Sequence, residues 1–277
     1  MREIRGRAAL LTGAEGGLGP DIARALAREG ADVALSGLPE QQTGLEKLRD
    51  ELRALGTRAE VVPADLTVAA ELDTLPERAE DAVGPIDVLV NNAGVELTAA
   101  YAEFTREELE WIVSVNLLAP LVLTRHVLPG MRSRGSGHVV FMASLAGKMG
   151  LPYNHPYSAA KAGLVGLTQS LRAEYEGTDI GFSAICPGFV SGAGMYARLN
   201  GAGDSIPFMA KAVSTVEVAG AVVDAIRRNL PEVIVTRRNV RPVLALQALA
   251  PQLAERVLRR TSPDEVFRHV AEDRGRL

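Results

Sequence analysis

With 277 residues and 47% apolar residues, the chain can bury one full α/β core. Its formal net charge of -4 excludes a general attraction to nucleic acid, although 26 of its 30 basic residues are Arg. The lone cysteine, Cys186, excludes a disulfide framework, and with no secretory leader or bilayer-length uncharged apolar run a cytoplasmic protein is expected.

The first apolar run, residues 8–12, predicts a buried strand, and it passes directly into Thr12-Gly13-Ala14-Glu15-Gly16-Gly17-Leu18-Gly19 and a helical pattern over 19–29. Gly13, Gly17 and Gly19 allow a tight turn, and backbone amides around Leu18 at the helix N-terminus suit a pyrophosphate. A second strand at 32–35 ends in Ser36-Gly37-Leu38-Pro39-Glu40. In such a fold, basic side chains at this point favour a ribose 2'-phosphate. No Arg or Lys lies between Arg28 and Lys47, and Glu15 adds negative charge nearby, so NAD is expected over NADP, with Gly37 beside the ribose.

A helix at 45–55 leads to a strand at 59–63 followed by Asp65-Leu66, then a helix at 71–83 and a strand at 86–91 that runs into Asn91-Asn92-Ala93-Gly94. The small residues of that segment permit close backbone approach. One long helix is predicted over 106–134, carrying Asn116, Trp111 and an apolar face of Leu117, Leu118 and Leu121. The next strand, 138–144, ends at Ser144, where open α/β sheets place ligands. No G-x-S-x-G elbow surrounds that serine, which excludes the hydrolase reading.

Tyr157 and Lys161 open a helix over 157–176, and four-residue spacing puts both on one face. A phenol with a pKa of about 10 is a poor base at neutral pH, and the Lys161 ammonium is expected to lower it. His155, two residues earlier, is read as a loop histidine, with a substrate contact as the alternative. After a strand at 180–186 comes Pro187-Gly188-Phe189-Val190. Residues 191–213, rich in Gly and Met, suggest a flap beside the site. Ser214 and Glu217 form a capping box for a helix at 215–229, and a strand at 232–236 closes the alternation. Seven strands alternating with helices specify a doubly wound parallel sheet.

Residues 237–277 read as a helical extension of the domain formed by residues 1–236. From Pro231 onward nine Arg face six acids, while Val243, Leu246, Leu249, Leu253 and Val257 fall at helical spacing. Docking on the same or a partner subunit is expected, with membrane-surface contact as the less favoured alternative. Thr261-Ser262-Pro263-Asp264-Glu265 predicts a second helix start.

The glycine loop, Asn91-Asn92-Ala93-Gly94, Asn116, Ser144 and Tyr157-x-x-x-Lys161, in this order, resemble the short-chain dehydrogenase/reductase family over about residues 7–236. The resemblance implies a Rossmann-type fold and a metal-free oxidoreductase that moves a hydride between NAD(P) and an alcohol or carbonyl compound. It implies Tyr157 as acid/base, Ser144 orienting the substrate oxygen, and Lys161 and Asn116 in a proton relay. It further implies Asp65 and Leu66 at the adenine, residues 91–94 at the ribose, and Pro187, Gly188 and Val190 at the nicotinamide. The family commonly has a Thr two residues after Val190, where this chain has Gly192. A homodimer or homotetramer paired through the helices of Trp111 and Tyr157 is also implied. Leu97, Met149, Leu151, Tyr153, Met195, Tyr196, Phe208 and Met209 are candidate pocket residues, which suggests a largely apolar substrate. The alternatives are an NADP-dependent carbonyl or 3-oxoacyl-type reductase and a non-catalytic dinucleotide-binding scaffold.

Overall fold

The computed structural model describes residues 3–191 and 212–258, together with Arg268 and Ala271. Strands β1 (Ala8–Thr12), β2 (Asp32–Ser36), β3 (Ala59–Val61), β4 (Ile86–Asn91), β5 (Ser136–Met142), β6 (Asp179–Pro187) and β7 (Glu232–Val235) form a single sheet in the order β3-β2-β1-β4-β5-β6-β7. Every pairing is parallel. β1 and β4 are buried along their whole length, as a sheet covered on both faces requires. Alternate residues feed two cores. Ala9 and Leu11 of β1 join the side chains of α1 (Gly19–Arg28), α2 (Gln42–Ala54) and α7 (Thr215–Arg228). Ala8 and Leu10 join those of α3 (Ala69–Val83), α5 (Ala119–Arg134) and α6 (His155–Glu174). The strand order reverses between β1 and β4, and the crevice at their C-terminal ends is the expected ligand position of such a sheet.

The helix expected over 106–134 forms, with one departure inside it: α4 (Arg106–Val113) passes through a π turn, Ser114–Leu118, into α5, and the N–H of Ala119 reaches back to the Ser114 carbonyl. The cause is Asn116, whose side chain is described below. An 18-residue window of this run has a mean hydropathy of 1.5, enough by composition for a membrane helix, but α5 instead packs against α3, β4 and β5. In the C-terminal extension, the face from Val243 to Val257 is split into α8 (Arg241–Leu249) and α9 (Pro251–Leu258). Pro251 lacks the N–H that a continuous helix needs and forces Ala250 out of helical geometry, to φ -143° and ψ 69°. The expected helix start at Thr261 and most of the expected flap, including Gly192, Met195, Tyr196, Phe208 and Met209, lie outside the described residues. At the base of that segment Val190 and Val213 form a parallel bridge, and the Ser191 N–H donates to the Val213 carbonyl at 2.9 Å. The Ser214 and Glu217 capping box forms as expected.

Candidate active site

A cavity of about 650 Å³ opens at the β1/β4 crevice. Its cofactor end is built by joining two loops. Thr12 Oγ1 accepts the N–H groups of Asn92 and Ala93, both at 3.0 Å, and Asn92 Nδ2 donates to the carbonyls of Thr12 and Gly13 at 3.0 and 2.9 Å. The approach leaves no room for a side chain at Gly13, where a Cβ would lie 2.8 Å from Ala93 Cα. Gly19 is tighter still, since a Cβ there would lie 2.2 Å from the Gly13 carbonyl oxygen. Gly13 and Gly17 both have positive φ, and α1 begins without a side-chain cap beside the lining residues Gly16, Gly17 and Leu18. An uncapped helix N-terminus behind a glycine turn fits a pyrophosphate, and these residues suit a dinucleotide.

Ser36, Gly37, Leu38 and Gln41 line the cavity beyond β2, and Gln41 Oε1 accepts from the Leu38 N–H at 3.0 Å. Asp65 and Leu66 line it as well, with Asp65 Oδ1 accepting from the N–H and hydroxyl of Thr67 at 2.8 and 2.7 Å. Glu15 departs from expectation. Its side chain lies over Gly44 at the start of α2, against the place a Cβ would occupy, and it does not line the cavity. Asn91 is likewise buried away from the lining, and Gly19 shapes the loop from beneath.

At the other end, Ser144, Tyr157 and Lys161 meet in the same cavity. Ser144 follows β5 and caps a short 3-10 turn, its Oγ accepting from the Ala146 N–H at 3.1 Å. Its hydroxyl acts on the Tyr157 phenol in the sense that favours the phenolate. Lys161 is buried, its Nζ donating to the Met142 carbonyl at 2.9 Å and lying 5.3 Å from the centre of the Tyr157 ring. Burial lowers the Lys161 pKa to about 8, with Glu96 and Cys186 acting in the opposite sense. Burial and the Glu96 charge push the Tyr157 phenol well above its ordinary value, against the smaller effect of Ser144. The lowering expected of Lys161 is not seen: burial is the largest influence on the phenol, and Ser144 is the group that opposes it. Cys186, fully buried, has its thiol pushed up to about 12 by burial first and Glu232 second, so it is no nucleophile.

Asn116 is buried outside the cavity lining and works through others. Its Nδ2 donates to the carbonyls of Val95 and Ile112 at 2.7 and 2.9 Å, and its Oδ1 accepts from the Val95 N–H at 3.3 Å. Bonding the carbonyl one helical turn back loosens the helix into the π turn, a common feature of functional helices. The same Oδ1 would lie 3.0 Å from a Cβ at Gly94, and Lys161 Nζ 3.4 Å from it. Gly94 thus lets the β4 loop lie against both residues.

Asn92, Ala93, Gly94, Pro187, Gly188 and Val190 line the cavity as predicted, as does Leu151. Leu97, Met149 and Tyr153 do not, and neither does His155, which is exposed and meets the edge of Tyr101 at 5.3 Å. Sequence reasoning missed Gln41, Trp111, Val115 and above all Glu96 as lining residues. The loop position of Glu96, just after Asn91-Asn92-Ala93-Gly94, was the available signal.

The family model for short chain dehydrogenases matches residues 7–202. The chain belongs to this family. The enzyme is 41% identical to the ketoacyl reductase HetN of Nostoc sp. over 264 residues, which cover 94% of this chain and 90% of the relative. It is 38% identical to the oxidoreductase UcpA of Escherichia coli over 69% of this chain and 72% of that protein. A dehydrogenase/reductase SDR family protein 7-like of Drosophila melanogaster is 32% identical over 91% of this chain and 79% of its own. The enzyme is accordingly an NAD(P)-dependent oxidoreductase that acts between alcohols and carbonyl compounds.

Proposed function

We propose that the enzyme works at neutral pH as a carbonyl reductase, with Tyr157 as the general acid. The observation that carries this reading is the meeting of Ser144, Tyr157 and Lys161 in one cavity, where burial favours the neutral phenol. A neutral phenol donates a proton to a carbonyl oxygen that becomes an alcohol, and Ser144 Oγ orients that oxygen through a second hydrogen bond. Lys161, tied to Met142, holds positive charge against the Tyr157 ring and restores the phenol after transfer. Gly13, Gly17, Leu18, Gly37, Asp65, Leu66, Asn92, Ala93, Gly94, Pro187, Gly188 and Val190 would hold the dinucleotide, whose nicotinamide supplies or accepts the hydride. Asn116 keeps the β4 loop in place beneath it.

NAD is the proposed cofactor. Ser36, Gly37, Leu38 and Gln41 are uncharged, and none offers the guanidinium that a 2'-phosphate needs. The name of the Nostoc relative supports a ketoacyl-type substrate, and Trp111, Val115, Leu151 and Phe189 support a largely apolar one. Leu118 and Leu121, exposed on the helical run of Trp111, support pairing of subunits as a homodimer or homotetramer. The lone buried thiol supports a reducing cytoplasm. Initial rates with NADH and NADPH across a panel of ketones and alcohols test activity, direction and cofactor together. Turnover favouring ketone reduction with NADH is expected. A tenfold preference for NADPH would overturn the cofactor reading.

A further inference from the structure

A hydroxyl that orients the substrate oxygen must stand at a set place relative to the nicotinamide, so the turn that carries Ser144 has to be fixed from outside itself. Within the turn, Ser144 Oγ accepts the Ala146 N–H at 3.1 Å, the Gly147 N–H donates to the Ser144 carbonyl at 3.0 Å, and the Lys148 N–H donates to the Leu145 carbonyl at 2.9 Å. These bonds shape the turn and leave its placement to its neighbours. One side rests on α6, where a Cβ at Gly147 would lie 2.5 Å from the carbonyl carbon of Lys161. The turn therefore bears directly on the backbone that presents Lys161.

Lys148 ties down the other side. Its Nζ donates to Glu232 Oε2 at 2.7 Å, and the two side chains keep only 22% and 28% of their exposure. A charge-assisted bond of that length, largely shielded from water, is stronger than an ordinary surface pair. Glu232 opens β7, which is fixed to β6: it stands in register with Ala184, whose N–H donates to the Pro231 carbonyl at 3.0 Å. Further along β7 the Val235 carbonyl accepts the Gly188 N–H at 3.0 Å, and a Cβ at Gly188 would lie 3.0 Å from Thr236 Cγ2. One strand thus anchors the Ser144 turn at its start and braces at its end the loop that would hold the nicotinamide. Neither Lys148 nor Glu232 lines the cavity, so both act through the groups they place.

We propose that Lys148 and Glu232 are positioning residues for the reaction, their ion pair fixing the Ser144 hydroxyl relative to the nicotinamide loop by tying its turn to β7. This deepens the carbonyl-reductase reading and rests on the role given there to Ser144. The test is a double-mutant cycle of Lys148→Met and Ser144→Ala in ketone reduction, with NADH deuterated at the transferred position showing that hydride transfer is being read. Lys148→Met keeps the stem and loses the charge, and it should lower kcat by about tenfold or more while NADH affinity by fluorescence titration stays near that of wild type. In a Ser144→Ala background the same substitution should cost less than about twofold, because the group it places is gone. Glu232→Gln should repeat both results from the other partner. The exchanged pair, Lys148→Glu with Glu232→Lys, should regain most of the rate that either exchange alone loses. Equal losses from Lys148→Met with and without Ser144, or wild-type kcat in both Lys148→Met and Glu232→Gln, would overturn the proposal. Should Lys148→Met fail to fold, Glu232→Gln and the exchanged pair decide the matter by the same criteria. An unchanged rate in Ser144→Ala itself would instead overturn the role of Ser144, and with it the reading on which the proposal rests.

Discussion

Tyr157 stands between two opposing influences. Removal of water and the Glu96 carboxylate favour the neutral phenol, while the Ser144 hydroxyl favours the phenolate, and the first pair prevails. The ring is only half-buried because the cavity opens on it, so a substrate that fills the cavity completes the desolvation. Its other face packs on the small cluster of Ala99, Phe104 and Ile112. Phenylalanine would keep that packing and lose the transferable proton. Tyr157→Phe is therefore expected to bind the dinucleotide much as wild type does, by fluorescence titration, while kcat falls by about 100- to 10,000-fold. Retention of more than about a tenth of the rate, with chemistry limiting, would remove Tyr157 from the acid role. The pairing of Tyr157 with Lys161 was legible because both lie on one helix at a fixed spacing. Glu96 was not legible, because it comes near them only through a loop packed against a distant helix. Glu15 misled for the same reason: the gap left by Gly44, which draws its side chain off the cavity, belongs to another element.

Helix and strand patterns survive best where a local period decides them. The strands stand out as unbroken apolar runs, whereas the π turn is invisible in the sequence because Asn116 finds its partner Val95 twenty-one residues away. That turn couples the helix of Asn116 to the cofactor loop. Asn116→Leu would leave the Val95 N–H and carbonyl and the loosened Ile112 carbonyl without their side-chain partner, a cost of about 1–3 kcal/mol. A melting temperature lower by several degrees is expected, together with weaker dinucleotide binding. Equal affinity in the two proteins would show that the loop holds without the clamp. A second coupling runs across the sheet, from buried His138 of β5 to Ser183 of β6 at 2.8 Å, and from Ser183 to the Leu230 carbonyl before β7 at 2.5 Å. Ser183 donates to that carbonyl, so His138 Nε2 must donate to Ser183. Burial lowers the His138 pKa from 6.5 to about 3. Below about pH 6.5 the unfolded chain binds a proton that the folded one refuses, so stability falls by roughly 1.4 kcal/mol per pH unit until the folded pKa is reached. Urea unfolding of wild type and His138→Gln between about pH 7 and 4 checks this, with a gap in acid sensitivity that should widen as pH falls. Parallel curves would assign the acid lability to other groups.

At the scale of the molecule, the open question is what the last forty residues do for the rest. The similarity to the Nostoc relative covers 94% of this chain, so much of the extension belongs to the shared region. Its attachment is specific: Arg237 donates to the Ala212 carbonyl at 3.1 Å and pairs with Glu217 at 2.8 Å, at the base of the segment that follows Val190. Val240 and Ala254 are buried, and Val243, Leu244 and Leu246 are half-buried, whereas Leu249 and Leu253 remain 86% and 51% exposed. An extension that buries one face and exposes another suits docking on its own subunit with a further apolar edge for a second copy. Truncation after Thr236 removes the Arg237 contacts to Ala212 and Glu217. It is expected to lower the melting temperature by roughly 5 °C or more, or to reduce the oligomer mass measured by light scattering. Wild-type protein at moderate salt should stay in the supernatant when anionic vesicles are sedimented. If wild type sediments with the vesicles and the truncated protein does not, with melting temperature and mass unchanged, then the exposed Leu249 and Leu253 and the neighbouring arginines serve a membrane surface, and the extension brings the active site to substrates held there.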